Sequence, residues 1–287
     1  MKTIIISDIL SKKKSIIPYG LNVAKTFETE VDVLHVIDPR MNQGEYSSFS
    51  DSQSITPGST MTHDQIVQRE KNKASKKLDQ LLSSEASRLN YPLKVNTDVQ
   101  ENTIIDAIQA KLEKEPSALF ILSLEPDEYI FQSKDEIVNT LENTGALGLL
   151  VPPEQSFRMI NKVVFPVDFK SENFGAYAKI HSFIRHFNPV IIEAVGYEKN
   201  NKTSLADDGK NWLKIAKSSF VPSTVKTNIL KGEKFTNALN DYIQNVQPDL
   251  LILLEHKQNF LKSIFKTNEA KVLLPQINLP VLIQFYN

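Results

Sequence analysis

The chain has 287 residues, 41% of them hydrophobic and 23% charged. That is the composition of an ordinary globular protein with room for about two domains, and it excludes a wholly disordered chain. A formal net charge of −1 leaves no footprint for nucleic acid or for an anionic membrane surface, and the absence of cysteine excludes disulfides, thiolate chemistry and cysteine metal sites.

The first apolar run, Thr3-Ile-Ile-Ile-Ser, ends at Asp8. It is too short for the core of a signal peptide, and no later apolar stretch reaches the ~20 residues that span a bilayer. A cytoplasmic protein is expected, in keeping with the lack of cysteine. The run reads as a buried parallel strand. After it, Ile17, Leu21, Ala24 and Phe27 recur at helical spacing, with Pro18 in the first turn, where its missing N–H costs little. A second strand is expected over Val31–Ile37, followed by a polar loop from Pro39 to Met61. Thr62 and Gln65 have the spacing of a capping box for a long helix that reaches about Leu89. A third strand over 93–99, a helix on Ile104, Ile108 and Leu112, a fourth strand over Ala118–Leu122 and a short apolar run over Ala146–Val151 complete the first half. Pro152-Pro153 stops the chain there.

The second half repeats this order. Lys162-Val-Val-Phe-Pro-Val-Asp168 matches the opening run. Phe174, Tyr177, Ile180, Ile184 and Phe187 mark a helix, and Val190–Val195 a second strand. Ser204 is placed to cap a helix running to about Phe220. A strand over 225–230, a helix on Phe235, Leu239, Ile243 and Val246, a strand over 249–254 and a final run over 279–283 follow. Strands alternating with helices predict a Rossmann-like α/β architecture: two tandem doubly wound domains, residues 1–153 and 158–287, each with a five-stranded parallel sheet covered by helices on both faces. Ligands of such sheets sit beyond the carboxyl ends of the strands, where the strand order reverses. Asp8 and Asp168 each end a first strand, which makes them candidate ligand contacts; the alternative is a carboxylate that caps nearby loop or helix N–H groups.

Four features resemble the universal stress protein family: Pro166-Val-Asp168-Phe169 at the end of a first strand, Leu34-His35-Val36 in a second strand, Leu230-Lys-Gly232 after a third, and Pro280-Val-Leu282 near the end. Their order and spacing cover nearly the whole chain, once per half. The resemblance implies the strand order 3-2-1-4-5 in each domain. It also implies pairing through the last strands, which a tandem chain satisfies internally as a pseudo-dimer; a homo-dimer of such chains stays open. In the branch of the family that binds ATP, the fourth strand runs into a glycine-rich loop ending in Ser or Thr, whose backbone N–H groups approach the phosphates. Here that stretch is Ser123-Leu-Glu-Pro-Asp-Glu-Tyr-Ile-Phe131 in the first half. It has no glycine and three carboxylates, which oppose an anionic phosphate. The second half continues from Glu255 to Thr267, again without glycine, although Lys257, Lys262 and Lys266 offer positive charge and Thr267 falls near the place of the family's hydroxyl. The resemblance therefore points to the branch without ATP. No cofactor is expected, and ATP binding in the family manner is not expected in either half.

Asp8, Asp168, His256, Lys266 and Thr267 are the candidate ligand-binding residues, His256 because it follows the fourth strand of the second half. The other histidines form no metal signature: His181 and His186 are five apart on a helix and His35 lies inside a strand. There is no Gly-x-Ser-x-Gly elbow, and Glu125, Asp127 and Glu128 read as a solvated loop. Lys12-Lys13-Lys14 reads as exposed surface. The function expected is that of a stress-response regulatory protein without catalysis, working through a protein partner or a small ligand. The alternative is an adenine-nucleotide or other small-molecule binder that uses a degenerate site in the second domain.

Overall fold

The computed structural model describes residues 2–39, 62–126, 130–170, 174–199, 205–256, 273 and 276–286, with the backbone alone at 174–179, 182 and 256. In the first half, β1 (Thr3–Ile6), α1 (Ile17–Phe27), β2 (Val31–Ile37), α2 (His63–Leu89), β3 (Val95–Glu101), α3 (Ile104–Lys114), β4 (Leu119–Ser123), α4 (Lys134–Thr144) and β5 (Leu147–Val151) follow in turn. The second half gives β6 (Lys162–Pro166), α5 (Phe174–Phe187), β7 (Ile191–Lys199), α6 (Ala206–Ser219), β8 (Thr224–Gly232), α7 (Phe235–Val246), β9 (Leu250–His256) and β10 (Val281–Tyr286).

All ten strands form one sheet in the order β3-β2-β1-β4-β5-β10-β9-β6-β7-β8. Each half therefore has the expected order 3-2-1-4-5, and the two halves meet last strand to last strand. Within each half the pairing is parallel; only β5 and β10 run antiparallel, with Val281 opposite Leu150 and Ile283 opposite Gly148. The internal pseudo-dimer is thus a continuous sheet.

The sequence explains which strands lie where. β1, β2 and β4 are buried along their whole length, as near-continuous apolar runs covered on both faces must be. The edge strands β3 and β8 are mostly polar and partly exposed. One face of the sheet is covered by α1, α2, α5 and α6, with Leu21, Leu78, Phe183 and Trp212 in its core. The other is covered by α3, α4 and α7, with Ile108, Val138 and Leu239.

One helix start was legible as a cap, and the structure adds two more. Thr62 accepts from Gln65 N while the Gln65 side chain accepts from Thr62 N, which completes the capping box. Thr103 and Ser133 cap α3 and α4 in the same way through Asp106 N and Glu136 N, and Gly145 ends α4 at φ 68°, where a side chain would be strained. β2 has its expected bounds, whereas β3 runs 95–101 instead of 93–99 and β7 extends four residues beyond Val195 to Lys199. Ser204, the expected cap of α6, and most of the 39–61 loop lie outside the described residues. Among the described residues no helix is long and apolar enough to cross a membrane.

Candidate functional site

The strand order reverses between β1 and β4 in the first half and between β6 and β9 in the second, so each half has one crevice at the carboxyl ends of its strands.

In the first half the turn after β1 is folded around Asp8, which is 4% exposed. Ser15 Oγ donates to Asp8 Oδ1 at 2.7 Å, and Ile16 N donates to Asp8 Oδ2 at 3.2 Å, just ahead of α1. Both carboxylate oxygens thus hold the loop that leads into the helix. Next to it, His35 of β2 is 1% exposed and its Nδ1–H donates to the Ser7 carbonyl at 3.2 Å. Burial drives the His35 pKa down to about 4, only partly opposed by that hydrogen bond, so the ring is neutral at neutral pH. It is a satisfied packing residue.

Lys13, from the same loop, crosses the crevice. Its Nζ donates to the Pro126 carbonyl at 3.0 Å and lies 3.9 Å from Glu125 Oε2; Glu125 in turn pairs with Lys134 at the start of α4 at 2.6 Å. The basic run at 12–14 was visible in the sequence, but its partner lies 113 positions away and carries no local signal. Asp127 and Glu128 lie outside the described residues. The β4 exit therefore presents an ion-paired carboxylate and a lysine bridge where a phosphate cradle would need bare backbone N–H groups.

In the second half Asp168 is more open. Its Oδ1 accepts from Lys170 N at 3.0 Å, a tight Asx turn. The residue after it, Phe169, is 6% exposed and swings under the sheet end against Trp212, ring centroids 5.7 Å apart. It packs so closely on β7 that a Cβ on Gly196 would sit 2.5 Å from Phe169 Cε2, which is why that strand position is glycine. Burial first, and then the charge of Asp168, push the hydroxyl of Tyr286, at the end of β10, above its ordinary pKa. Glu255, near the end of β9, is buried, and so is Glu198 on β7, which accepts from Leu205 N. His256 is the last residue of β9, in register with Tyr286, so its backbone is at the crevice. Lys257, Lys262, Lys266 and Thr267 lie outside the described residues. The structure thus brings Asp168, Tyr286 and the backbone of His256 to one end of the sheet and leaves Asp8 in the other half. Among the described residues no cluster of three His, Cys, Asp or Glu side chains is arranged to hold a metal ion.

Over 99% of its length the chain superposes on a universal stress protein from Archaeoglobus fulgidus, covering 98% of that chain at 12% identity with a TM-score of 0.65. The fold is that of the universal stress proteins. A functionally unknown protein from Pseudomonas aeruginosa superposes over the same 99%, covering 92% of its own chain at 14% identity with a TM-score of 0.62. No family model matches the sequence, and no curated protein does. At such low identity the likeness lies in the arrangement of strands and helices. In this tandem universal stress protein fold, the turn after the first strand carries an aspartate in both halves, and the surroundings of the two differ: both oxygens of Asp8 are bonded within its own loop, whereas Asp168 accepts from Lys170 N and is more exposed.

Proposed function

We propose that the chain is a stress-response protein that works by binding, without catalysis, and that it does not hold ATP in the manner of the glycine-loop proteins. Residues 1–153 and 158–287 are taken as its two units. The observation that carries this reading is how the turn after β1 is used in the first half. Asp8 has both oxygens on Ser15 and Ile16, and Lys13 spans the gap to Pro126 and Glu125. A nucleotide there would have to break the loop's own hydrogen bonds, and the β4 exit has no glycine through which backbone N–H groups could approach its phosphates. The universal stress protein fold supports the stress-response part of the reading, and the lack of a nucleophile–base pair in the sequence supports the non-catalytic part.

The test is a melting-temperature titration against ATP, ADP, AMP and cyclic nucleotides, with and without Mg²⁺. A ligand that binds the native state raises the melting temperature with concentration. The expected response is flat for every nucleotide. A dose-dependent rise that disappears in Asp8→Ala or Asp168→Ala would overturn the reading and make one of the crevices a nucleotide site.

A further inference from the structure

An open groove of about 580 Å³ runs along α6 and is lined by Asp207, Lys210, Asn211, Leu213, Lys214 and Lys217. Gly209, Trp212 and Ala216 form the helix's buried face, so the lysines stand on the side turned away from the sheet. From Gly209 to Ser219 the helix carries three lysines and no acid. Lys210 has Asp207 at 3.0 Å; no acid pairs with Lys214 or Lys217 among the described residues. Lys210, Lys214 and Lys217 are spaced by four and three, which makes them neighbours on one face, and like charges at that spacing weaken a helix. The helix dipole favours Lys217 near the carboxyl end, but not Lys210 in the turn next to the acidic start. The long helix α2 of the other half intersperses acids among its basic residues, and two of them form pairs, Glu70 with Lys73 and Glu85 with Arg88. The half that carries α6 is also the basic half of the chain, with more Lys and Arg than Asp and Glu over 154–287, whereas the first half is acidic.

We infer that the α6 groove is a docking surface for an acidic segment of a protein partner, laid along the helix with its carboxylates over Lys210, Lys214 and Lys217. This rests on the binding role proposed above and names the chemistry of the partner. Two features favour a protein segment over a small anion. The groove is open, whereas small-molecule sites enclose most of their ligand. The charges are also strung along the helix at a rise of about 1.5 Å per residue, which suits a chain and not a compact ligand. Leu213, which lines the groove with the lysines, offers apolar contact to the same segment.

The test uses the full chain and a fluorescein-labelled acidic peptide of repeating Glu-Glu-Ala-Leu, read by fluorescence anisotropy at low salt. The expected result is saturable binding that weakens at least tenfold in Lys214→Glu/Lys217→Glu. It should change less than threefold in Lys14→Glu/Lys76→Glu, which alters net charge equally on the other half. Circular dichroism of both variants confirms that each is folded; Lys214→Gln/Lys217→Gln, with an intermediate loss, substitutes if the charge reversal unfolds α6. Equal weakening in both double variants would reduce the effect to net charge and overturn the inference, as would no binding at all. Tripolyphosphate binding as tightly as the peptide, with the same dependence on Lys214 and Lys217, would assign the groove to small anions instead. None of these outcomes depends on the nucleotide titration, so the two readings fail separately.

Discussion

Lys111 and Tyr242 hold the same place in the two halves. Each lies seven residues beyond the first residue of its helix, Ile104 in α3 and Phe235 in α7, and each meets a buried acid on the neighbouring second strand. Lys111 Nζ lies 3.1 Å from Asp32 and 3.0 Å from Asp98; Tyr242 Oη donates to Glu193 and accepts from Asn228 Nδ2, the latter at 2.8 Å. Asp98 is in register with Leu34, two residues past Asp32, and Asn228 with Val195, two residues past Glu193. One slot in the repeated domain is thus filled by an ion-pair cluster in one copy and by a phenol–amide cluster in the other. The two fillings are each self-consistent: where the helix group is charged the third-strand group is charged, and where it is neutral the third-strand group is neutral.

Replacing Tyr242 with Phe removes the donor to Glu193 and leaves a largely buried carboxylate short of a partner. The expected loss is about 1–3 kcal/mol, read from urea unfolding at pH 7. Burial, and then the hydrogen bond and charge of Glu193, hold the Tyr242 hydroxyl above its ordinary pKa. A folded-state pKa above the unfolded value near 10 contributes stability below that pH and loses it as pH rises further. The stability gap between the parent and Tyr242→Phe should therefore narrow above about pH 10. A gap that stays constant to pH 11 would place the hydroxyl outside the cluster.

The ionic version responds to acid instead. Burial alone would raise Asp32, but hydrogen bonds from Lys2 at 2.8 Å, Asn96 at 3.1 Å and Lys111 outweigh it and hold the carboxyl below its usual range. Its contribution is present above the unfolded value and is lost as pH falls through the folded one. Lys111→Met should cost about 1.5–3 kcal/mol at pH 7, with the difference from the parent fading below about pH 4. A difference as large at pH 3 as at pH 7 would show that the lysine acts by packing its stem.

The contrast between these clusters also marks what could be read from the sequence. The strand and helix order, the capping box at Thr62 and the repeat were legible because each depends on residues near one another in the chain: an apolar run, a spacing of three, a proline pair. Asp8 and Asp168 were found for the same reason, as the polar end of a strand. That Asp8 is spent on Ser15 and Ile16 could be suspected from the loop's length but not decided, since both readings need the same residue. Lys13 to Pro126, Lys111 to Asp32 and Tyr242 to Glu193 join positions 49 to 113 apart, and nothing local distinguishes such a lysine or tyrosine from a solvated one. The lysine stripe of α6 was visible letter by letter, but only the buried positions of Trp212 and Ala216 tell which side of the helix it occupies.

His35 gives a prediction in the pH range between the other two. Its folded pKa of about 4 lies below the unfolded value, so the unfolded chain takes up a proton first as the solution is acidified. The resulting contribution is complete above about pH 6.5 and is lost progressively as pH falls toward 4, amounting to on the order of 3 kcal/mol. His35→Leu, which fills the same buried position without a titrating group, should show a flatter stability profile over that interval in urea unfolding. A variant as steep as the parent would mean that the acid sensitivity belongs to other groups.

The last prediction concerns how the halves are joined. Across the seam, Phe27 of α1 packs on Phe183 and Phe187 of α5 with ring centroids 5.0 and 4.7 Å apart, both edge-on, and the Gln284 side chain of β10 donates to the Gly145 carbonyl at the end of α4 at 3.0 Å. Val31 and Leu119 of the first half and Val163 and Leu282 of the second belong to one continuous core on that face of the sheet. A shared core of this kind couples the two halves, so thermal unfolding should be a single calorimetric transition despite the tandem repeat. Phe27→Ala removes a buried ring from the seam and should cost about 3–5 kcal/mol. Because the lost contacts lie between the halves, the variant should also broaden toward two transitions, whereas Tyr242→Phe, inside one half, should lower the melting temperature without splitting the peak. Two resolved transitions already in the parent would mean that the seam aligns the halves without making them fold as one.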